Sequence, residues 1–255
     1  MADPTDYSLL GFRCGLEIHQ QLEGNKLFCG CPTINSDKDP NIRFERNLRA
    51  VAGETGTVDI AAKHEMEKGR NVIYLADAED VCLVEMDEDP PHEMNKGAIY
   101  TAVQVALLLH CRIIGHIQVM RKTVVDGSNV SGFQRTALIG MDGYLESSKG
   151  NVSIPTICLE EEAAQKIEEA KNSVTYRLDR LGIPLIEIAT GSLLKDPEHV
   201  KEVAGAIGMV LRSVTGIKRG IGTIRQDVNV SIKGGARTEI KGFQDLRSIT
   251  KVIDF

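Results

Sequence analysis

No stretch of about 18 consecutive apolar residues occurs in this chain of 255 residues, so nothing in it reads as a membrane-crossing helix. Met1-Ala2-Asp3-Pro4 lacks the basic start and apolar run of a secretory signal, and the expectation is a cytoplasmic protein. Positive charge is also short. The 30 Lys and Arg against 36 Asp and Glu leave a formal net charge of −6, which argues against the broad basic field behind non-specific nucleic-acid binding. DNA and membranes are not expected partners, and any RNA contact must be local. The cysteines at 14, 29, 31, 82, 111 and 158 are too scattered for the disulfide framework of a small secreted domain. Low-complexity tracts and internal repeats are missing as well. With 42% hydrophobic and 26% charged residues, the chain is globular and long enough for one large core or two smaller ones.

What is present is alternation. In Leu181-Gly182-Ile183-Pro184-Leu185-Ile186-Glu187-Ile188-Ala189 a single carboxylate, Glu187, interrupts an apolar, strand-like run. A lone buried carboxylate would cost several kcal/mol, so Glu187 needs a cation, a metal or a proton as partner. The pattern recurs in Leu16-Glu17-Ile18-His19, Tyr176-Arg177-Leu178-Asp179, Ile224-Arg225-Gln226-Asp227-Val228-Asn229-Val230-Ser231 and Arg237-Thr238-Glu239-Ile240-Lys241. These segments predict a sheet with one apolar face and one face of ionisable groups. The period of two over Gly15 to Leu22 puts Glu17, His19 and Gln21 on one side. Apolar residues at helical spacing predict a helix from His92 to His110, through Ala98, Ala102, Val105, Ala106 and Leu109. Asp196-Pro197-Glu198 caps a second helix that runs to about Ser213, with Gly216 as its stop. Strands outnumber helices, which predicts an α+β fold whose largely antiparallel sheet is open on one face.

Several motifs keep two readings. The Gly30 to Asn41 stretch reads as loop. The segment 126–136, Asp-Gly-Ser-Asn-Val-Ser-Gly-Phe-Gln-Arg-Thr, could offer backbone N–H groups to an anion, but it has no Walker-type lysine, and composition favours an ordinary hairpin connection. Arg219-Gly220-Ile221-Gly222 carries the same ambiguity. Glu160-Glu161-Glu162, after the strand-like 154–158, would ordinarily start a solvated helix. Counted with Glu17, His19, Glu187, Asp227 and Glu239, the three supply more hard oxygen ligands than stability needs, a magnesium-like environment. His19 alone would be a satisfied core histidine; two residues from Glu17 it becomes a plausible ligand or proton carrier. Cys29-Gly30-Cys31-Pro32 offers two thiolates, but structural zinc wants four ligands, and Cys14 and Cys82 would have to be recruited by the fold.

The blocks 15–22, 26–32, 120–123, 126–129, 132–136, 178–189, 222–231 and 239–242 together closely resemble the GatB/GatE family, the subunits of glutamyl-tRNA(Gln) amidotransferases that act on the tRNA. Asp126-Gly127-Ser128-Asn129 and Gly132-Phe133-Gln134-Arg135-Thr136 place the resemblance with the archaeal GatE branch, and it runs almost end to end. It implies an α+β cradle over 1–255, akin to glutamine synthetase and the guanido kinases. The family's synthetase-like insertion, helical domain and tail domain are absent from the sequence, which is therefore expected to be a fragment. Thr190-Gly191-Ser192-Leu193 departs from the Thr-Ala-Pro-Asp-like run of the family, and the paired cysteines of the GatB zinc site are incomplete.

The resemblance also implies the reaction. ATP phosphorylates the side-chain carboxylate of glutamate misloaded on tRNA(Gln), and ammonia from a separate D-type amidase subunit displaces phosphate to give glutamine. Phosphorylation is needed because a carboxylate is a poor electrophile. The implied metal ligands, for magnesium, are Glu17, His19, Glu161, Glu187, Asp227 and Glu239. Among them Glu161, Glu187 and His19 form the catalytic group, while Glu17, Asp227 and Glu239 hold the nucleotide-linked ion. Arg135, Arg177, Arg225 and Lys241 are the implied phosphate or carboxylate clamps. Two other readings stand beside this one: a non-catalytic scaffold that docks the amidase, and a metal-dependent phosphohydrolase.

Overall fold

The computed structural model describes residues 6–34, 38–50, 52 and 56–255; Met1 to Pro4 and positions 35–37 of the predicted loop lie outside the described residues. The elements are β1 (Arg13–Gln21), β2 (Ile42–Asn47), α1 (Ile60–Glu67), β3 (Asn71–Ala76), α2 (Lys96–Leu108), β4 (Arg112–Ile113), β5 (Val119–Thr123), β6 (Phe133–Leu145), β7 (Val152–Glu161), β8 (Gln165–Glu169), β9 (Ser173–Arg177), β10 (Pro184–Ala189), α3 (Pro197–Ser213), β11 (Ile224–Ser231), β12 (Thr238–Phe243) and α4 (Ile249–Asp254). The fold is α+β. An eight-stranded sheet runs in the order β12-β11-β1-β10-β7-β6-β4, with β5 also on β6. Every pairing in it is antiparallel.

One face of this sheet is sealed by helices. Leu16 and Ile18 of β1, Ile186 and Ile188 of β10, and Ile157 and Leu159 of β7 share a buried cluster with Ala102, Val105 and Ala106 of α2 and Val200, Val203 and Ile207 of α3. Burying such side chains contributes about 1.5–3 kcal/mol each. The α3 boundary is the predicted one: the Asp196 carboxylate accepts from His199 N–H at 2.9 Å, and Pro197 opens the helix. By contrast, α2 starts later than His92, because His92 N–H and Asn95 N–H donate to the Phe28 and Leu27 carbonyls instead. The Asn95 side chain then caps it by accepting from Ala98 N–H.

A second sheet, β2-β3-β9-β8, was not expected from the sequence. It is antiparallel except for β3 and β9, which run parallel. The sheet has its own core of Val72, Tyr74, Val174, Tyr176 and Leu178. The loop between β5 and β6 is a hairpin connection, and this second core pins it: the Tyr74 and Tyr176 hydroxyls donate to the carbonyls of Gly127 and Asp126. No helix among the described residues is long and apolar enough to cross a membrane.

Backbone packing is tight where α2 ends over β6. A Cβ at Gly143 would lie 2.3 Å from Cys111 Sγ and 2.5 Å from the Leu109 carbonyl oxygen. Gly143→Ala is therefore expected to lower stability by about 2–3 kcal/mol, read as a lower urea midpoint with unchanged slope.

Candidate functional site

The register of the large sheet decides which side chains meet. His19 lies opposite Glu187 on β10 and Arg225 on β11, and Glu17 lies opposite Asp227. Glu187 in turn lies opposite Cys158 of β7. Residues directly opposite share a face, so Glu17, His19, Glu187, Cys158, Arg225 and Asp227 all stand on the side away from α2 and α3.

His19 Nε2 is 3.3 Å from Glu187 Oε2, and Glu160 joins them: one ligand atom from each of the three lies within 4.8 Å of the others. The three are largely enclosed. Burial, and the neighbouring Glu187 charge, push Glu160 above the usual carboxylate range, while the hydrogen bond from His19 holds Glu187 below it. His19 Nδ1 is buried with no hydrogen-bond partner. Two carboxylates at contact distance need a shared proton or a cation between them.

Glu161, expected in this group, is not brought to it. On β7 the apolar residues Ile157 and Leu159 face the helices, so the same parity sends Glu160 to the ionisable face and Glu161 to the other. There Glu161 accepts from Arg135 N–H and from the Arg135 guanidinium at 3.1 Å. Arg135, expected as a phosphate clamp, is thereby held on the far face beside the Phe28 ring. The solvated helix start read at 160–162 is overturned too: β7 continues through Glu161, and all three carboxylates are buried.

Two residues along β1, about 7 Å away, a second group forms from Glu17, Asp227 and Glu239. Asp227 accepts from Gly242 N–H at 2.7 Å, and Asn229 donates to Glu17 at 3.3 Å. Lys241 lies 2.9 Å from Glu239 and 3.6 Å from Asp227, and of the four predicted clamps it is the one that pairs with either three-residue cation group. Three carboxylates make an all-oxygen donor set suited to magnesium, whereas the imidazole at His19 admits other divalent ions as well. Beyond Glu17 the face opens into a recess of about 340 Å³ with Arg13 and Arg237 on its lining. Thr190 and Ser192 also line it, and a Cβ at Gly191 between them would sit 2.1 Å from Ser153 Oγ, so the backbone packs too closely there for a larger residue.

The remaining predicted clamps are occupied. Arg225 makes two hydrogen bonds to Glu162, at 2.7 and 2.8 Å, and Arg180 and Gln21 complete the grip on that carboxylate. Burial alone would raise Glu162, but the hydrogen bonds and charge of Arg225, with Arg180, hold it down to about 2. Arg177 belongs to the second sheet, where it donates to the Lys38 carbonyl and lies 3.5 Å from Asp179.

The fold also completes a cysteine group. Cys29, Cys31 and Cys82 meet with Glu85, all four donor atoms within 4.8 Å of one another, while Cys14 lies in the main core. Cys29 Sγ donates to Glu85 at 2.9 Å, and hydrogen bonding to Cys31 and burial push that thiol far up. Three thiols and a carboxylate fit a tetrahedral zinc ion, which would displace those protons and tie the 29–31 turn to 82–85.

Sequence reasoning counted Glu160 and Glu162 only as part of the 160–162 cluster and singled out Glu161 instead, and it missed Arg180, Glu85, Arg13 and the role of Arg237. Only Glu160 had a local signal, the alternation Ile157-Cys158-Leu159-Glu160.

The family model of the GatB/GatE catalytic domain matches residues 12–255. The chain is 51% identical over 250 residues to the E-type subunit of glutamyl-tRNA(Gln) amidotransferase from Methanocaldococcus jannaschii, covering 98% of this chain and 40% of that protein. The same subunit from Methanosarcina barkeri is 54% identical over 250 residues, with 97% and 39% covered. That from Aeropyrum pernix is 52% identical over 251 residues, with 98% and 39% covered. The chain thus spans about 40% of the length of the curated relatives it matches.

Two outcomes are expected. Glu162→Gln leaves Arg225 and Arg180 without their counter-charge, lowering neutral-pH stability by about 3 kcal/mol. Because the folded-state value of Glu162 is depressed, its contribution is complete above 4.5 and is lost as pH falls toward about 2. The variant's stability should therefore vary less than the parent's over that window, measured by urea unfolding across pH. For the cysteine group, plasma mass spectrometry should find one zinc per chain, lost in Cys82→Ser together with several degrees of melting temperature.

Proposed function

The chain belongs to the GatB/GatE catalytic-domain family, and from that premise we propose that it activates the side-chain carboxylate of glutamate carried on tRNA(Gln), using ATP and magnesium. The observation that carries this reading is the pair of cation-binding groups, His19/Glu160/Glu187 and Glu17/Asp227/Glu239, one pleat repeat apart on a single face. The open antiparallel sheet under them is then a cradle of the glutamine synthetase and guanido kinase kind.

The chemistry follows from charge. A glutamyl carboxylate oxygen attacks the γ-phosphorus as its bond to the ADP oxygen breaks; ammonia then attacks the acyl carbon and phosphate leaves. Both partners of the first step are anions, so the reaction needs neutralisation, which divalent ions supply when bound. The protein's own part is to place them. Glu17, Asp227 and Glu239 would hold one ion, and Lys241, paired with Glu239 and Asp227, would add positive charge beside it. Arg13 and Arg237 extend that positive lining into the adjoining recess. At the other group Glu187 orients His19, and Glu160 completes the donor set that would hold a second ion. Arg225 stays with Glu162 and keeps β11 in register with the end of β7 rather than gripping substrate.

The same reading supplies the partners: a separate D-type amidase delivers ammonia in a heterodimer or heterotetramer, and the work is done in the cytoplasm. Titration calorimetry tests the core of it. ATP is expected to bind the chain only with magnesium, with affinity falling at least ~10-fold in both Glu187→Gln and Asp227→Asn. In the whole enzyme with its amidase, Glu187→Gln is expected to abolish glutamine formation on the tRNA. Unchanged activity in that variant would refute the assignment.

A further inference from the structure

On the helix side of the large sheet, opposite the carboxylate groups, a cavity of about 290 Å³ lies between α3, the turn after it and the ends of β11 and β12. Ile217, Ile224 and Phe243 line it with apolar surface, and Gly208 leaves α3 open beside it, with nothing within 4 Å of where a Cβ would be. Arg212, Lys218 and Arg219 line it too, and no lining residue is an acid. In a chain of net charge −6 this is a local reversal of sign. Its size is at the lower end of the ~300–1,000 Å³ usual for ligand pockets.

Gln226 is the independent observation. Alternation along β11 sends Arg225 and Asp227 to the carboxylate face and Gln226 to this one, in register with Ile18. Gln226 is 5% exposed and lines the cavity, yet its amide makes no side-chain hydrogen bond among the described residues. Gln20, beside it, gives its N–H groups to the carbonyls of Gln21, Lys218 and Thr223. The polar atoms of Gln226 open to the solvent of the cavity, where a ligand with adjacent donor and acceptor can take the place of water.

We propose that this cavity binds a purine nucleotide, either free or as the terminal residue of an RNA. A purine edge offers the donor and acceptor that a glutamine amide matches, as adenine N6 and N7 do. Phe243 and Ile224 supply the surface for the ring. The guanidiniums of Arg212 and Arg219 receive the phosphate, while the Lys218 ammonium stays on the Thr33 carbonyl at 2.6 Å. No carboxylate takes part, so binding requires no divalent ion and is independent of the opposite face.

Titration of AMP into the chain in the presence of EDTA tests this. One molecule is expected to bind, with affinity at least ~10-fold weaker in the Arg212→Ala/Arg219→Ala double variant. Gln226→Leu, checked for folding by circular dichroism and melting temperature, is expected to lose the preference for AMP over UMP. Glu187→Gln, on the other face, leaves AMP affinity unchanged, which separates this site from the proposed ATP site. A short oligoribonucleotide ending in adenosine that binds tighter than AMP assigns the RNA terminus as the source; equal affinity assigns the free nucleotide. Absence of binding by both probes, or AMP affinity unaltered in the double arginine variant, overturns the proposal.

Discussion

A strand in the middle of a sheet presents its side chains to two faces in strict alternation, and the rest of this structure depends on that constraint. Once Leu16, Ile18, Ile157, Leu159, Ile186 and Ile188 are committed to the helices, the residues between them have nowhere to go but the other side. Those residues are Glu17, His19, Cys158, Glu160 and Glu187. A slip of one residue would drive carboxylates into the helix layer and expose the isoleucines, so the hydrophobic core itself fixes the geometry of the charged groups. The antiparallel register then brings residues far apart in sequence to within ligand distance, as with Glu17 and Asp227 or His19 and Glu187.

The charged face is held together unevenly, and the unevenness is informative. Glu162 is surrounded by Arg225, Arg180 and Gln21 and is satisfied by the protein alone. Glu160 and Glu187 face each other with His19, the Gln134 amide and a distant Lys122 around them, and no arginine among the described residues. Glu160 is pushed up by burial and the Glu187 charge, and Glu187 is held down by the hydrogen bond to His19, so the two carboxyls differ in their hold on a proton. Glu161 and Glu162 are neutralised by arginines, whereas Glu160 and Glu187 are neutralised by no arginine of their own among the described residues.

Local signals carried much of this into the sequence. The alternation of β1, β10 and β11 marked the sheet and its charged face, and the Asp196-Pro197 cap marked α3 to the residue. Parity alone could also have preferred Glu160 to Glu161. What was not legible depends on contacts between distant segments. β9 reads like a strand of the main sheet, yet it pairs with β3 in a second one, which takes Arg177 away from the carboxylates. Arg135 and Arg225 look like free cations until Glu161 and Glu162 are found against them. Cys82 and Glu85 lie some fifty residues from Cys29 and Cys31, and only the chain path joins the four.

The strand order has a consequence for how the protein comes into being. β1 is the first strand in the chain, yet its two sheet neighbours are β10 and β11. The hydrogen bond from Asn229 to Glu17 spans 212 residues, and the contact between His19 and Glu187 spans 168. Long-range pairings of this kind are slow to close and cannot begin until both strands exist. A ribosome therefore releases Glu17 and His19 long before their partners, and neither cation group exists in any nascent chain that stops short of β10. The His19 group waits on β10, and the Glu17 group waits further, on β11 and β12.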